Sequence, residues 1–285
     1  PVIVVGNITV GGTGKTPVVI ALARFLKEKG WRPGIVSRGY GGKIKHFPYQ
    51  VHQNSNAREV GDEPLLIVRH TDCPTVIDPN RSRGVRALLK RAHCNLVISD
   101  DGLQHSSLGR NIEIIVVDGE RRFGNNFCLP AGPLREPTSR LNSVDFVISK
   151  ENPLRHEFKL SLIPDHFYQL SQPKIKKTLD YFHGKTLHAV AGIGNPDQFF
   201  NSLRKLNLKI IEHPFPDHYL FKPHDFSYGS DAIIIMTEKD AVKCVGFVDA
   251  RLWCLNTKTE LDTNLLNTVL KRVTTLNNNL KSSSG

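Results

Sequence analysis

The sequence has no long hydrophobic run. No apolar stretch approaches the roughly 18 residues that a membrane-spanning helix needs, and no basic segment followed by an apolar core and a cleavage site opens the chain. These absences argue against a transmembrane span in the 285 residues given, and we expect soluble behaviour. Because Pro1 already stands at the start of a strand-like apolar run, we also expect the natural chain to begin further upstream.

Cysteines are few and unpaired. There are five, an odd number, and no two of them form a Cys-x-x-Cys pair. This pattern argues against a disulfide framework and against structural zinc, and it favours a reducing compartment. The cysteines are Cys73, Cys94, Cys128, Cys244 and Cys254.

Acidic residues are outnumbered. The 38 Lys and Arg residues exceed the 27 Asp and Glu residues, which gives a net charge of +11 and predicts acidic partners. A nucleic acid, an anionic membrane surface or a phosphorylated small molecule would each satisfy this charge. No basic run interleaved with aromatic residues singles out nucleic acid, and we predict none as a partner. Nothing in the sequence indicates a stable protein partner.

The clearest pattern present is at residues 2–16, where an apolar run opens into a glycine-rich loop. It is typical of a buried strand, a loop whose backbone N–H groups surround an anion, and the first turn of a helix. We therefore predict a nucleotide-binding P-loop, with Lys15 at the outer phosphates and the Thr16 hydroxyl on a magnesium ion. The predicted loop comprises Thr9, Val10, Gly11, Gly12, Thr13, Gly14, Lys15 and Thr16.

One position departs from the usual P-loop pattern. Thr9 stands where glycine or alanine is usual. The alternative is a glycine-rich turn without a ligand, and the strand before the loop and the helix after it argue against that alternative.

Short apolar runs alternate with helices of about a dozen residues, which predicts an α/β fold with a mostly parallel sheet. Residues 1–150 should form a P-loop NTPase-like three-layer α/β/α domain, and 151–285 a second, smaller α/β domain. An amphipathic helix is expected at about 260–280, where it could pack back on the first domain, and a disordered tail at 282–285.

Two further predicted strands end in polar residues. Arg38 and Tyr40 follow residues 34–37, at the sheet edge where ligands bind in open α/β folds, although a plain surface turn is the alternative. Asp100 and Asp101 end another strand, where a P-loop enzyme needs a carboxylate for magnesium. The residues leave open which aspartate binds the metal.

Other candidates are weaker from residues alone. Asp62 stands in the first turn of a predicted helix, where complementing the helix dipole is sufficient reason for an acidic residue. His218 lies in a proline-bounded loop that could hold an acid or base, although most histidines are structural. Arg135 and Glu136 form either a solvated ion pair or part of a site.

Seven motifs, in this order, closely resemble the tetraacyldisaccharide 4'-kinases of lipid A biosynthesis. The most specific are Asp-Asp-Gly-Leu-Gln-His at 100–105 and Pro-Ala-Gly-Pro-Leu-Arg-Glu at 130–136. The resemblance covers nearly the whole chain. The motifs occupy residues 6–7 together with 10–16, then 37–40, 61–64, 100–105, 129–136, 215–219 and 237–241.

The resemblance implies an ATP- and Mg²⁺-dependent enzyme. It would transfer the γ-phosphate of ATP to the 4'-hydroxyl of a tetraacyldisaccharide 1-phosphate, the lipid A disaccharide precursor. The active site would lie in a cleft between two α/β/α domains. The enzyme would work as a peripheral protein at the cytoplasmic face of the bacterial inner membrane, on an anionic membrane surface. The family also has a membrane-associating helix before the first strand, which the given sequence lacks.

The resemblance also implies roles for single residues. Asp62 becomes the base for the sugar hydroxyl with His218 as its partner, which replaces the dipole interpretation. The implied catalytic residues are Asp62, His218, Lys15, Asp101 and Arg135; the implied metal ligands are Thr16, Asp101 and Glu136; and Arg38, Tyr40 and His105 line the substrate site.

Two other functions share features with this sequence. A P-loop GTPase or ATPase of the metallocentre-assembly or partitioning type shares the Gly-Gly-Thr-Gly-Lys-Thr segment, but such enzymes often have lysine at the position of Val10 or an Asn-Lys-x-Asp motif, and both are missing. A catalytically silent nucleotide-binding module that docks on membranes is disfavoured by the intact lysine, threonine and aspartates.

Overall fold

The computed structural model describes the backbone of residues 1–282 and the side chains of residues 1–279. The tail predicted at 282–285 therefore lies outside the described residues, apart from the backbone of Ser282. The described helices are α1 (Lys15–Glu28), α2 (Ala57–Val60), α3 (Asp62–Thr71), α4 (Arg81–Arg91), α5 (Pro196–Lys205), α6 (Glu238–Ala241) and α7 (Thr263–Ser282). The described strands are β1 (Val2–Gly6), β2 (Pro33–Ser37), β3 (Tyr49–Val51), β4 (Thr75–Ile77), β5 (Leu96–Asp100), β6 (Ile112–Asp118), β7 (Phe146–Lys150), β8 (Phe158–Gln169), β9 (Lys176–Lys177), β10 (Thr186–Ala191), β11 (Lys209–Pro214), β12 (Ile233–Met236) and β13 (Leu252–Leu261). Short 3-10 helices occupy Thr138–Ser143, Pro223–Phe226 and Val242–Cys244.

The described strands form one mixed sheet. Their order is β11-β10-β12-β13-β8-β7-β6-β1-β5-β2-β4-β3, and β9 pairs with β8. Neighbouring strands are parallel except that β3 runs antiparallel to β4, and β8 runs antiparallel to β13 and β9. This mostly parallel sheet with helices confirms the predicted α/β fold class.

The sheet continues across residue 150, where the sequence predicts a domain boundary. β7 pairs in parallel with β8, with Ile148 opposite Phe158, and β8 then pairs with β13. Each side of the boundary nevertheless has core residues of its own, such as Phe167, Phe200 and Trp253 in the later part of the chain. The division into 1–150 and 151–285 stays a prediction, and we call these the N-terminal and C-terminal halves.

The helices α1 and α7 share one hydrophobic cluster. Apolar residues of α1 recur at helical spacing, and Val18, Leu22 and Leu26 are fully buried. Leu265 and Val269 of α7 are buried in the same cluster. The last described helix therefore packs on the N-terminal half.

The central strand β1 positions the glycine-rich loop. It lies between β5 and β6, and its near-continuous apolar run is what a strand covered on both faces requires. Arg38 follows β2 and Asp100 ends β5, so both lie at the same carboxyl edge of the sheet as the loop. Open parallel sheets bind ligands at this edge.

The described residues show the state of the cysteines and the hydropathy of the helices. All five cysteines are free, three of them buried and only Cys128 exposed. Within residues 1–282, no helix has the length and hydropathy that crossing a bilayer would require.

We expect Leu265→Ala to destabilise the protein by about 2–5 kcal/mol, because it removes a buried leucine side chain from the shared cluster. Asn267→Ala, at an exposed position of the same helix, should change the free energy of unfolding by less than about 0.5 kcal/mol. Urea unfolding followed by circular dichroism measures both. Equal effects from the two substitutions would contradict the packing of α7 on α1.

Candidate active site

Backbone geometry shapes the loop between β1 and α1. Gly11 and Gly14 have φ angles of 92° and 98°, a left-handed conformation that favours glycine. Gly14 is the N-cap of α1, so the unpaired N–H groups and positive end of that helix face the space beside the loop. The hydroxyl oxygen of Thr13 is buried there without a hydrogen-bond partner. The loop thus presents donors to an anion, as its sequence predicts.

The segment before Glu136 supports this loop. The backbone N–H of Val10 donates to the carbonyl of Pro133 at 2.9 Å, and Arg121 Nη2 donates to the carbonyl of Gly12 at 3.1 Å. The backbone N–H of Arg135 donates to the carbonyl of Ile8 at 2.7 Å. This segment therefore brings Arg135 to the loop.

Asp101 lies between two of the predicted cations. Its Oδ1 is 3.4 Å from Lys15 Nζ, and Arg135 Nη1 donates to both of its carboxylate oxygens at 3.2 Å. Burial opposes ionisation of Asp101, but Lys15 and Arg135 outweigh it and hold its pKa below the ordinary value. The structure brings these three residues together.

Asp100 is buried and has a different environment. It accepts a hydrogen bond from Ser37 Oγ at 3.0 Å, while its Oδ1 has no partner. Burial, with the nearby charges of Glu63 and Asp101, raises the pKa of Asp100 to about 7. A buried carboxylate oxygen without a partner is costly unless something else satisfies it.

These oxygens bear on the predicted magnesium ion. Magnesium in P-loop proteins takes one or two protein oxygens, with phosphates and water completing its shell. Within the described residues, no three or more His, Cys, Asp or Glu side chains form a cluster suited to a metal. Such a cluster is not needed for a magnesium ion of this kind. Thr16 at the start of α1, Asp101 beside Lys15 and the unpartnered oxygen of Asp100 fit this chemistry.

Glu136 is held by two other side chains. Its Oε1 accepts from Gln104 Nε2 at 2.6 Å, and its Oε2 accepts from Arg140 Nε at 3.2 Å. Gln104 Nε2 also donates to the carbonyl of Asn7 at 3.0 Å, which ties Glu136 to the residues before the loop. Its role as a metal ligand stays a prediction.

The predicted substrate residues fall into two places. The ring of Tyr40 lies edge-on to the ring of His218, with centroids 5.0 Å apart. His105 Nε2 lies 3.0 Å from Ser107 Oγ, and burial together with the charges of Arg81, Arg110 and Arg38 lowers the pKa of His105. Arg38 therefore belongs to the electrostatic environment of His105, while the ring of Tyr40 packs against His218.

Asp62 and His218 form a contact between the two halves. Asp62 begins α3 and is buried, and its Oδ2 is 3.0 Å from Nδ1 of His218, which lies in the loop after β11. Asp62 Oδ1 also accepts the backbone N–H of Glu63 at 2.9 Å. The helix start thus orients the carboxylate and the histidine holds it, so the helix-dipole interaction of Asp62 is compatible with a catalytic role.

Each member of this pair favours the charged form of the other. Burial opposes ionisation of Asp62, but His218 and Lys239 outweigh it, and its pKa lies below the ordinary value. The hydrogen bond to Asp62 raises the pKa of His218. The pair is therefore an ion pair at mildly acidic pH.

The loop after β10 brings the C-terminal half against the P-loop. A Cβ placed on Gly194 would lie 3.0 Å from the backbone nitrogen of Gly12 and 3.1 Å from Asp217 Oδ2. The residue beside His218 therefore lies close to the P-loop backbone. This approach joins the phosphate-binding loop and the Asp62–His218 pair in one site.

Two residues of the site have no role assigned from sequence. Arg81 is buried at the start of α4, and it donates to the carbonyl of Asp78 at 2.8 Å and that of Asp101 at 3.3 Å. Lys239 lies at the start of α6, 3.1 Å from Glu63 Oε1. The motif at 237–241 marks a functional segment after a strand, but no sequence pattern shows that Lys239 reaches α3.

The site is that of a P-loop phosphotransferase. It combines a P-loop, an aspartate that faces the P-loop lysine, and a buried carboxylate–histidine pair beside the loop. The chain belongs to the tetraacyldisaccharide-1-P 4'-kinase family, whose model (LpxK) matches residues 1–275. This match confirms the family resemblance and the predicted class of kinase.

Individual relatives agree with the family match. The chain is 52% identical over 256 residues to a tetraacyldisaccharide 4'-kinase of Coxiella burnetii, covering 90% of this chain and 75% of the relative. It is 49% identical over 278 residues to the protein of that name from Methylobacillus flagellatus, covering 97% and 83%. The structure resembles LpxK from Aquifex aeolicus, solved in complex with ATP, with a TM-score of 0.77 and 29% identity, covering 95% and 88%. None of these relatives favours a P-loop GTPase or ATPase of another type.

We expect the stability lost in His218→Gln to depend on pH. Because the pKa of His218 is raised in the folded protein, protonated His218 stabilises the fold. This contribution to the free energy of unfolding is complete below the ordinary histidine pKa and is lost as pH rises through the raised pKa. Because the pKa of Asp62 is lowered in the folded protein, ionised Asp62 also stabilises the fold. Its contribution is present above the ordinary aspartate pKa and is lost as pH falls through the lowered pKa.

The difference from wild type should thus be largest between about pH 4 and pH 6.5, which are the ordinary aspartate and histidine values. Urea unfolding at acidic, mildly acidic and alkaline pH measures it. A difference that is the same at every pH would contradict the ion pair.

Proposed function

We propose that this chain is an ATP-dependent kinase that transfers the γ-phosphate to the 4'-hydroxyl of a tetraacyldisaccharide 1-phosphate, the lipid A disaccharide precursor. Family membership supports the reaction class. The observation that carries the proposal is the buried Asp62–His218 pair, which lies beside a loop segment that touches the P-loop.

The P-loop binds and orients ATP in this proposal. The backbone N–H groups at Gly11, Gly12 and Gly14 surround the phosphates, and the Lys15 ammonium moves from Asp101 toward the outer phosphates. A magnesium ion, when bound, supplies charge neutralisation at the phosphates, and Thr16, Asp101 and Glu136 would hold it. Asp100, with its unpartnered oxygen, could assist there.

Asp62 acts as the base for the acceptor hydroxyl. The O–H bond of the 4'-hydroxyl breaks as its oxygen forms a bond to the γ-phosphorus, the bond from that phosphorus to ADP breaks, and the proton passes to the Asp62 carboxylate. His218 holds the carboxylate through Nδ1 at 3.0 Å and keeps it oriented. Phosphoryl transfer depends mainly on positioning and charge, so one oriented carboxylate is sufficient.

The remaining predicted residues surround these two centres. Arg135 donates to Asp101 and is placed to stabilise negative charge as it develops on the transferred group. Arg38 and His105 are assigned to one side of the acceptor and Tyr40, against His218, to the other. We assign all three to the binding of the disaccharide phosphate.

We further propose that the enzyme acts as a peripheral protein at the cytoplasmic face of the bacterial inner membrane. The substrate carries acyl chains in a bilayer, and the net charge of +11 favours an anionic surface. Each basic residue near such a surface contributes about 1 kcal/mol. Further approach of the two halves when the substrate binds would exclude water from the site.

Transfer of label from γ-³²P-labelled ATP distinguishes kinase from hydrolase. We expect label to appear on a tetraacyldisaccharide 1-phosphate in mixed micelles, and little free phosphate without the lipid. Lys15→Met should abolish the transfer because it removes the phosphate-binding ammonium. Release of free phosphate with no labelled lipid would contradict the proposed function and support a GTPase- or ATPase-like enzyme.

We expect Asp62→Asn to lower kcat by about 10²–10⁴-fold, the usual contribution of a general base, because the amide cannot accept the hydroxyl proton. His218→Ala should also lower kcat strongly. Both variants should keep the wild-type affinity for ATP, measured by isothermal titration calorimetry. Near-normal turnover of Asp62→Asn would remove Asp62 from the role of base, and loss of ATP binding in His218→Ala would assign that histidine to the nucleotide site.

A further inference from the structure

The Lys239 ammonium lies among three carboxylates at the junction of the two halves. Its Nζ is 3.1 Å from Glu63 Oε1, 3.4 Å from Asp217 Oδ1 and 4.0 Å from Asp62 Oδ2. Asp62 and Glu63 begin α3, whereas Asp217 precedes His218 in the loop after β11. One cation therefore contacts the proposed base, its neighbour and the residue beside the partner of the base.

Local structure explains why Lys239 reaches this position. Thr237 caps α6, since its Oγ1 accepts the backbone N–H of Asp240 at 3.1 Å. Val242, just after α6, is buried in a cluster with Val60 and Leu65 of the N-terminal half. The cap sets the direction of the short helix, and the apolar contact holds it against α3. Lys239 is thus aimed at α3 by two interactions that do not involve its own charge.

Lys239 offsets part of the negative charge around Asp62. Without it, Asp62, Glu63 and Asp217 would face one another with His218 as the nearest cation, while Lys243 lies further off. Only about 4% of the Asp62 side chain is exposed, so water compensates little of this repulsion. Buried carboxylates in such a group tend to protonate or move apart. Either change would disable a base.

We propose that Lys239 is a positioning residue, which keeps Asp62 ionised and holds the segment of Asp217 and His218 against α3. The inference rests on the proposed function, because it assigns a role in the same site. Lys239 need not touch the substrate, since it acts through Asp62 and His218. The ammonium lowers the pKa of both Asp62 and His218.

The rival explanation is a structural ion pair without influence on the base. Two neutral variants and one charged variant separate these explanations. Lys239→Met keeps the length of the side chain, Lys239→Gln keeps a hydrogen-bond donor for Glu63, and Lys239→Arg keeps the charge. Lys258→Met is the matched control, because Lys258 pairs with Asp165 at 2.6 Å on the β8–β13 pair and has no role in the site.

The first measurement is the pH profile of kcat/KM for transfer to the disaccharide. In both neutral variants the acid limb should move to higher pH by about one pH unit, because Asp62 loses a nearby positive charge. The less firmly held His218 segment should separately lower kcat about tenfold at the wild-type optimum, with an unchanged KM for ATP. Lys239→Arg and Lys258→Met should keep the wild-type limb. If Lys239→Met fails to fold, the comparison of Lys239→Gln with Lys239→Arg carries the same test.

The second measurement does not require activity. In ¹H–¹⁵N spectra of histidine-labelled protein, with His218 assigned from the His218→Gln variant, the midpoint of the His218 titration should rise in both neutral variants and not in Lys239→Arg. If wild-type protein transfers no phosphate to the lipid, the proposed function fails while this titration still tests Lys239. The inference would be overturned if the two neutral variants kept both the wild-type acid limb and the wild-type His218 titration. It would also be overturned if Lys239→Arg were as impaired as Lys239→Met.

Discussion

The burial of the Asp62 carboxylate is the constraint on which the site depends. A buried carboxylate is costly unless charge and hydrogen bonds compensate it, and here the compensation comes from distant parts of the chain. His218 arrives from the loop after β11 and Lys239 from the start of α6. The base is therefore complete only when the C-terminal half lies against α3, which couples assembly of the site to the contact between the halves.

The same edge of the sheet supplies the phosphate side. β1 and β5 are parallel neighbours, so the loop after β1 and the two aspartates at the end of β5 lie side by side as a direct result of strand pairing. The carbonyl of Pro133 accepts the backbone N–H of Val10, and the Arg121 side chain donates to the carbonyl of Gly12, so both hold the loop. The family-specific motif at 130–136 is thus explained by its contacts, since it supports the loop and also delivers Arg135 to Asp101.

Features encoded by consecutive residues could be predicted from the sequence, whereas contacts between residues far apart in the chain could not. The P-loop is local, because its glycines and the start of α1 are consecutive, and the period of the apolar residues was sufficient for the mostly parallel sheet. Asp62 differs, since residues alone favoured a helix-dipole role and only family resemblance indicated a base. The continuous sheet across residue 150 was not anticipated, because strand pairing between β7 and β8 leaves no local signal.

The sequence by itself determined the fold class, the nucleotide-binding loop and, through its motifs, the family. These are properties of consecutive residues, whose backbone conformation and periodicity follow from local sterics and hydrophobicity. Only the tertiary structure decided that Asp101 rather than Asp100 meets Lys15 and Arg135, and that Lys239 lies among the carboxylates of both halves. The reason is physical: burial and electrostatic compensation depend on distances between groups far apart in the chain, and these distances exist only once the sheet has formed.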